Sequence, residues 1–217
     1  MTSDDVAAPF TRADGAYVFA RWGRPIVPVV FGVQDETLPV IKGAFEAVCT
    51  LAGHQMAETD PELGSNCMIF FCRDWDELPA VRDLDRLVPD LVPLVERLKT
   101  ADANQYRVFR FDETGAIRAA FVFLRMDEQL QGVSADTLAL GQVVQTILLW
   151  SDTAFTERSP LAVAGDTTVL HPDIATVIRA AYDTVLPGAA RDPSHALRLI
   201  ALGVIETPMI RPGIERL

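Results

Sequence analysis

The first half of the chain combines short runs of β-branched and aromatic residues with one long amphipathic segment. Residues 16 to 22 and 25 to 32 are such runs and predict two strands; Pro25 and Pro28 give the second a free edge or a bulge. Apolar residues then recur at helical spacing between Asp35, a favoured N-cap type, and Gly53, which suits the position after a helix end. The nearly all-apolar run 66 to 72 predicts a central strand covered on both faces.

Two acidic helical segments and a hairpin follow. Residues 74 to 87 and 89 to 99 predict helices with solvated outer faces. The second has an apolar face formed by Val88, Leu91, Val92, Val95 and Leu98. Two further apolar runs flank residues 112 to 115, and a connection that ends in Gly115 is typical of a β-hairpin.

The second half of the pattern is helical. Residues 135 to 150 predict a helix with apolar positions on most sides, and a loop of about twenty residues follows it. Pro172 begins the strongest helical periodicity of the chain, formed by Ile174, Val177, Ile178, Ala181, Tyr182 and Val185. A last helix is predicted from Asp192 to about Leu202, with Gly203 beyond its end. The order β-β-α-β-α-α-β-β-α-α-α favours an α+β fold with a mixed, mostly antiparallel sheet.

The composition indicates one folded unit. With 217 residues, of which 49% are hydrophobic and 23% charged, the chain is long enough to bury one substantial core. Its polar, proline-containing start predicts a mobile N-terminal arm over residues 1 to 15. No repeat or linker divides the remainder, so we expect a single domain over residues 16 to 204 and a C-terminal tail over residues 205 to 217.

The charge pattern disfavours two classes of partner. A formal net charge of −11 without a basic run argues against nucleic acid and anionic lipid surfaces. The N-terminus lacks the positive charge of a secretory leader, and charges interrupt every apolar run before the roughly 18 to 20 residues needed to cross a bilayer. We therefore expect a cytoplasmic protein. Cys49, Cys67 and Cys72 lie in apolar segments without C-x-x-C spacing, which predicts buried, reduced thiols.

The stretch LGQVVQTILLWSD, residues 140 to 152, carries the most informative polar residues. Gln142 and Gln145 lie three residues apart on a helix that is otherwise apolar. A buried amide without a partner costs about 1 to 3 kcal/mol, so each glutamine needs a hydrogen-bond partner from a neighbouring segment or a water in a pocket. A glycine such as Gly141 weakens a helix interior by about 1 kcal/mol. Such a glycine often allows a neighbouring group to approach the helix closely.

Four phrases of the chain resemble a proteobacterial family of unknown function that is distantly related to the zincin-like metallopeptidases. They are RWGRPIVPVVFG, GSNCMIFF, TGAIRAAFVFL, and LGQVVQTILLWSD followed by LHPDIATVIRAAYDTVLPG. The resemblance implies a zincin-like order of elements. It places Gly141 where the family has its first metal ligand or acid, Gln142 at the catalytic Glu, Gln145 at the Gln or second His, and Ser151 with Asp152 at an Asn-Asp pair.

The residues at which this chain departs from the family pattern are those that metal-assisted hydrolysis needs. A zincin needs two imidazoles one helical turn apart and a carboxylate that takes a proton from the metal-bound water. Gly141 has no ligand atom, and the amide of Gln142 cannot ionise. The sequence therefore predicts no catalytic residue, no metal and no cofactor. It favours a non-catalytic interaction or small-ligand-binding module, whose partner and oligomeric state the sequence does not specify.

Three further residues complete the predicted cleft lining, which comprises Gly141, Gln142, Gln145, Asp152, His171 and His195. His171 precedes Pro172 at a helix start, where capping or a pocket role are the alternatives. His195 lies in the first turn of the last helix, with a small-anion site as its alternative to a structural role. Two other functions stay open: a hydrolase whose site has moved within the same cleft, and an adaptor that uses the acidic helices of residues 74 to 99.

Overall fold

The computed structural model describes residues 2–206 of the chain. Its strands are β1 (Phe19–Ala20), β2 (Pro28–Phe31), β3 (Cys67–Cys72), β4 (Gln105–Phe111), β5 (Ile117–Arg125), β6 (Leu161–Ala164), β7 (Thr167–Leu170) and β8 (Ala189–Ala190). Its α-helices are α1 (Ser3–Ala7), α2 (Leu38–Ala52), α3 (Leu84–Leu87), α4 (Leu91–Thr100), α5 (Glu128–Gln131), α6 (Ala135–Ile147), α7 (Pro172–Ala181) and α8 (Ser194–Glu206). Single 3₁₀ segments lie at Ala8–Phe10, Asp35–Thr37 and Trp75–Ala80.

A four-stranded sheet in the order β2-β3-β5-β4 organises the molecule. Strands β2, β3 and β5 are parallel, and the hairpin places β4 antiparallel to β5 at one edge. Strand β2 forms the other edge, as Pro28 at its start predicts, because a proline cannot donate to a neighbouring strand; Pro25 lies before the strand. The hairpin prediction is confirmed, and Gly115 adopts the left-handed φ of +85° that its turn requires.

The two faces of this sheet bury separate apolar clusters. Helices α2, α6 and α7 cover one face, where Phe45, Val122 and Val144 lie in one cluster. The segment from Trp75 to α4 covers the other face, where Trp75 and Phe121 lie in the second cluster. Strand β3 contributes to both clusters, which confirms the prediction of a central strand covered on two sides.

The α+β class is confirmed, although strands are not confined to the first half. Antiparallel pairings join β1 to β8, β4 to β5 and β6 to β7, so three of the five pairings are antiparallel. The sequence missed α1, α5, β6, β7 and β8, so the predicted order of elements is incomplete. The predicted loop after α6 contains the hairpin β6–β7, whose strands have four residues each and no alternation of buried and exposed positions.

The prediction of a mobile N-terminal arm is wrong. Thr2 and Asp5 form a reciprocal capping box that begins α1. Val6 and Phe10 are fully buried in the larger apolar cluster, and α1 packs against α8. Val6 and Phe10 anchor this segment. Two apolar residues are too few to form the periodic pattern by which a sequence predicts a buried element.

Several predicted helix limits are also wrong. Asp35 starts a 3₁₀ turn instead of capping α2, and Val92 is 59% exposed while Leu94 takes its place in the apolar face of α4. Helix α7 ends at Ala181, so Val185 lies outside it and is 72% exposed. Helix α8 continues through Gly203 to Glu206 and takes in the start of the predicted tail, whose residues 207 to 217 lie outside the described chain.

Helix α6 ends at Ile147 instead of Trp150 because three aromatic side chains satisfy its last carbonyl groups. The indole of Trp150 turns back to donate to the Val144 oxygen at 2.9 Å. The indole of Trp22 donates to the Thr146 oxygen at 2.9 Å, and the Tyr182 hydroxyl donates to the Ile147 oxygen at 2.8 Å. A helix end leaves such carbonyls without intrahelical partners, so these aromatic donors fix where α6 stops.

Candidate functional site

The six residues predicted to line one cleft lie in four separate places. Gly141, Gln142 and Gln145 share α6. Asp152 is exposed and accepts a hydrogen bond at 3.2 Å from the Ala13 amide. His171 precedes α7, and His195 lies in the first turn of α8. The prediction of a single cleft is therefore wrong: Gln142 bonds to β4, His195 contacts Tyr17 and Phe19, and His171 lines a cavity that includes none of the other five residues.

Gln142 is buried against a cation. It is 4% exposed, and its amide oxygen accepts a hydrogen bond from the Arg107 guanidinium of β4. Its amide nitrogen donates to the Gln105 side chain at 3.2 Å, and Arg107 also donates to that Gln105 oxygen at 3.2 Å. Among the described residues no carboxylate lies within ion-pair distance of Arg107, and its Nε atom is buried without a partner. Burial lowers the pKa of Arg107 to about 10, so it stays protonated at neutral pH.

Gln145 and Gly141 have local roles. Gln145 donates to the Gly141 carbonyl at 3.2 Å, one turn earlier in the same helix. A Cβ atom at Gly141 would meet the Leu161 methyl group at 3.6 Å, which is ordinary van der Waals contact. The expectation that Gly141 permits an unusually close approach is therefore wrong.

His195 belongs to the apolar core. It is 3% exposed, its Nδ1 lies 2.9 Å from the Tyr17 hydroxyl, and its ring centroid lies 4.2 Å from that of Phe19. Burial, with smaller contributions from Arg198 and Arg21, lowers the pKa of His195 to about 4. Its Nε2 atom is enclosed without a hydrogen-bond partner, so the small-anion alternative has no open site at this ring.

His171 lines a cavity of about 750 Å³, which we call the N-terminal pocket. The pocket lies between α1, the loop of residues 153 to 159 and the first turns of α7. Its apolar wall consists of Ala8, Pro9, Ala154, Phe155, Ile174 and Val177. Its polar side chains are Asp5, Thr153, Thr156, Glu157, Arg158, Ser159, His171 and Asp173. Asp152 precedes this loop but does not line the pocket.

Two hydrogen-bond donors meet in the N-terminal pocket. The Nδ1 atom of His171 accepts from the Asp173 amide at 3.2 Å and so caps α7, as the sequence suggested. In the neutral ring the proton then lies on Nε2, the atom that contacts the Arg158 guanidinium. With this tautomer both groups are donors, and an acceptor placed between them could bond to both. Arg158 is 68% exposed and free to move aside for one.

Carboxylates surround these donors. Asp173 approaches Arg158 at 3.6 Å. Hydrogen bonds with Thr2, followed by smaller influences that include the charge of Arg158, lower the pKa of Asp5. With Glu157, three carboxylates line a pocket that holds a single arginine. The lining therefore offers sites for both an anionic and a cationic group of one ligand.

The loop that forms the pocket carries backbone strain. Phe155 adopts a φ of +65°, a conformation that costs a bulky residue about 1 to 3 kcal/mol. Its ring packs edge-on against Trp150 at 5.0 Å, and Trp150 stacks on Phe10 at 5.0 Å. The aromatic stack from the core thus holds Phe155 in the pocket wall.

Sequence reasoning found only His171 among the residues of this pocket. Arg158, Asp5 and Phe155 were missed because the first belongs to a polar loop and the second to a segment expected to be mobile. The available signal was the polar run Thr-Glu-Arg-Ser directly after Phe155. The His-Pro-Asp start of α7 follows this run a little further along the chain. Nothing in the sequence indicated the left-handed backbone at Phe155.

The described residues offer little for metal or thiol chemistry. Within residues 2–206, no group of three or more His, Cys, Asp or Glu side chains is arranged to hold a metal ion. Cys49, Cys67 and Cys72 are free and buried, which confirms the predicted state of the thiols. Burial raises the pKa of Cys49 to about 11 and that of Cys72 to about 12, so neither forms a thiolate at neutral pH.

The chain matches no family model, no curated protein and no solved structure. The similarity to zincin-like metallopeptidases therefore stays a prediction that rests on the sequence phrases alone. None of the described helices has the length and the apolar character that crossing a bilayer requires.

Proposed function

We propose that this protein is a non-catalytic binding module that takes a small, partly apolar zwitterion, such as an α-amino acid or a short peptide, in the N-terminal pocket. The observation that carries the proposal is the meeting of the Arg158 and His171 donors above an apolar wall. A carboxylate of the ligand accepts from both donors. Its ammonium group is attracted by Asp5, Glu157 or Asp173.

The size and the wall of the pocket support this class of ligand. A cavity of about 750 Å³ lies within the range of small-molecule sites, which combine an apolar lining with a few polar anchors. Phe155, Ile174 and Val177 supply the apolar surface against which a side chain of the ligand packs. The fixed position of Phe155 reduces the entropy lost when a ligand binds.

The proposal is limited to binding and includes no reaction. His171 uses Nδ1 to cap α7, and the described thiols are buried. The hydrolase alternative required a titratable group that could act beside Gln142 and Gln145. The group there is Arg107, which remains a cation at neutral pH and accepts no proton.

Binding of leucine and leucyl-leucine, measured by calorimetry, tests the proposal. We expect both to bind, and we expect leucinamide, which lacks the carboxylate, to bind at least about tenfold more weakly. Arg158→Gln should weaken leucine binding by a similar factor, because it removes the charge-assisted bonds to the carboxylate. Arg191→Gln is the matched control, since Arg191 is exposed and does not line the pocket.

Two results would count against the proposal. Absence of binding at millimolar concentrations of both zwitterions removes the assigned ligand class. Equal affinity of the Arg158→Gln variant shows that the ligand binds elsewhere. N-acetylleucine distinguishes a simple acid from a zwitterion, because it keeps the carboxylate and lacks the ammonium group.

A further inference from the structure

A second cavity, of about 470 Å³, lies on the opposite face of the sheet. We call it the arginine groove. Residues 86 to 90 form one wall, α4 forms the second, and β4 forms the floor with Tyr106 and Val108. Three arginines line it, one from each of these parts: Arg86, Arg97 and Arg110. Tyr106, Val108 and Arg110 alternate along β4, so they share the face opposite to Arg107.

The arginines of this groove are largely unpaired. Arg86 contacts Asp83 at 3.1 Å on the surface, and Arg110 donates to the Leu87 carbonyl at 3.2 Å. Within the described chain, neither Arg97 nor Arg110 has a carboxylate within 4 Å. Asp90 is the single acidic residue among the lining residues. In a chain of net charge −11, this is a local concentration of positive charge.

The backbone around the groove adds to its attraction for anions. Asp90 precedes α4 with a φ of +59°, and its side chain makes no capping bond to the first turn. The first-turn amides of α4 therefore lack a side-chain acceptor from Asp90, at the end of the helix opposite to Arg97. The floor below them is an aromatic ring with Val108 and the buried Leu94. Such a floor accommodates a flat or apolar body attached to an anionic group.

We infer that the arginine groove binds a small phosphate ester of nucleotide size. Three guanidinium groups from separate segments match a dianionic phosphate better than a single carboxylate, because each can donate paired hydrogen bonds to phosphate oxygens. The volume of the groove suits the remainder of such a molecule against Tyr106. This site is separate from the N-terminal pocket and does not depend on the function proposed for that pocket.

Calorimetric titration with pyrophosphate and adenosine monophosphate tests this inference on the full chain. We expect adenosine monophosphate to bind with a submillimolar Kd that rises with salt concentration. Arg97→Gln and Arg110→Gln should each weaken binding at least about tenfold. Arg191→Gln is the matched control outside the groove and should bind as the unchanged protein does. Far-ultraviolet circular dichroism of each variant establishes that it is folded.

The same experiment contains the results that overturn the inference. One is the absence of binding by both phosphate probes at millimolar concentration. Another is an equal loss of affinity in Arg191→Gln, which identifies a nonspecific effect of surface charge. A third is tighter binding of a glutamate-rich peptide than of either phosphate, which assigns the groove to an acidic protein partner instead.

Discussion

At the scale of single residues, the burial of Arg107 explains why α6 carries Gln142. A buried guanidinium needs acceptors, and Gln142 and Gln105 supply neutral ones. The sequence indicated that Gln142 required a partner. It could not identify Arg107, because 35 residues separate the two in the chain and only the fold brings them together.

We predict that Gln142→Glu stabilises the protein. The new carboxylate would lie beside Arg107 and replace a neutral acceptor with a charged one. This outweighs the lost bond from the Gln142 amide to Gln105, for a net gain of about 1 kcal/mol in the free energy of unfolding. The gain requires an ionised carboxylate, so it is present above the unfolded Glu pKa of about 4.3 and is lost as the pH falls below it. Urea unfolding at pH 7 and pH 4 measures both effects.

Gln145→Glu is the matched control for this change. Gln145 is on the same helix but bonds to the Gly141 carbonyl, which a carboxylate cannot do because it has no donor. We expect this variant to be no more stable than the unchanged protein. An equal gain in both variants would mean that Arg107 is not the cause.

His195 makes stability depend on pH in a defined window. Its folded pKa of about 4 lies below the unfolded value of about 6.5, so the unfolded chain binds more protons between these values. The contribution is fully present above pH 6.5 and is lost as the pH falls towards 4, by at most about 3 kcal/mol. The free energy of unfolding should fall less steeply over this window in His195→Gln; parallel pH profiles would refute the assignment.

At the scale of secondary structure, the sequence predicted elements with a long apolar stripe and missed those held by few contacts. Helices α2 and α7 and strand β3 were found because their side-chain periods are clear. The end of α6 was missed because Trp22, Trp150 and Tyr182, which cap its carbonyls, come from distant segments. The hairpin β6–β7 contains only four residues in each strand, too few for a clear alternation.

Glycines inside helices provide a prediction at this scale. Gly141→Ala should stabilise the protein by about 0.5 to 1 kcal/mol, because alanine favours a helix and the added methyl meets only Leu161 at 3.6 Å. Gly203→Ala should destabilise it by about 1 to 3 kcal/mol, because its Cβ would lie 2.7 Å from a methyl carbon of Thr176. Chemical unfolding of the two variants measures both.

Gly43→Ala in α2 is the control for this pair, since no atom lies within 4 Å of its added Cβ. It should stabilise the protein about as much as Gly141→Ala does. If Gly141→Ala destabilises the protein, a neighbouring group must pack too closely against residue 141 to accept a methyl group.

At the scale of the whole molecule, the class of fold followed from the sequence, whereas the position of the site did not. The phrases that carry the zincin-like resemblance hold structural residues. Asn66, for example, bonds to the Val27 amide at 2.8 Å and to the Pro25 carbonyl at 2.9 Å. The N-terminal pocket instead lies where α1, a polar loop and the start of α7 meet. Such a site depends on tertiary contacts that no local period encodes.

The packing of α1 against α8 also has a consequence for biosynthesis. A ribosome synthesises α1 well before α8, because the other elements of the described chain lie between them in the sequence. Until α8 is made, Val6 and Phe10 lack part of the surface that buries them in the finished protein. In the interval between the synthesis of α1 and that of α8, this apolar surface is open to contacts with other apolar surfaces.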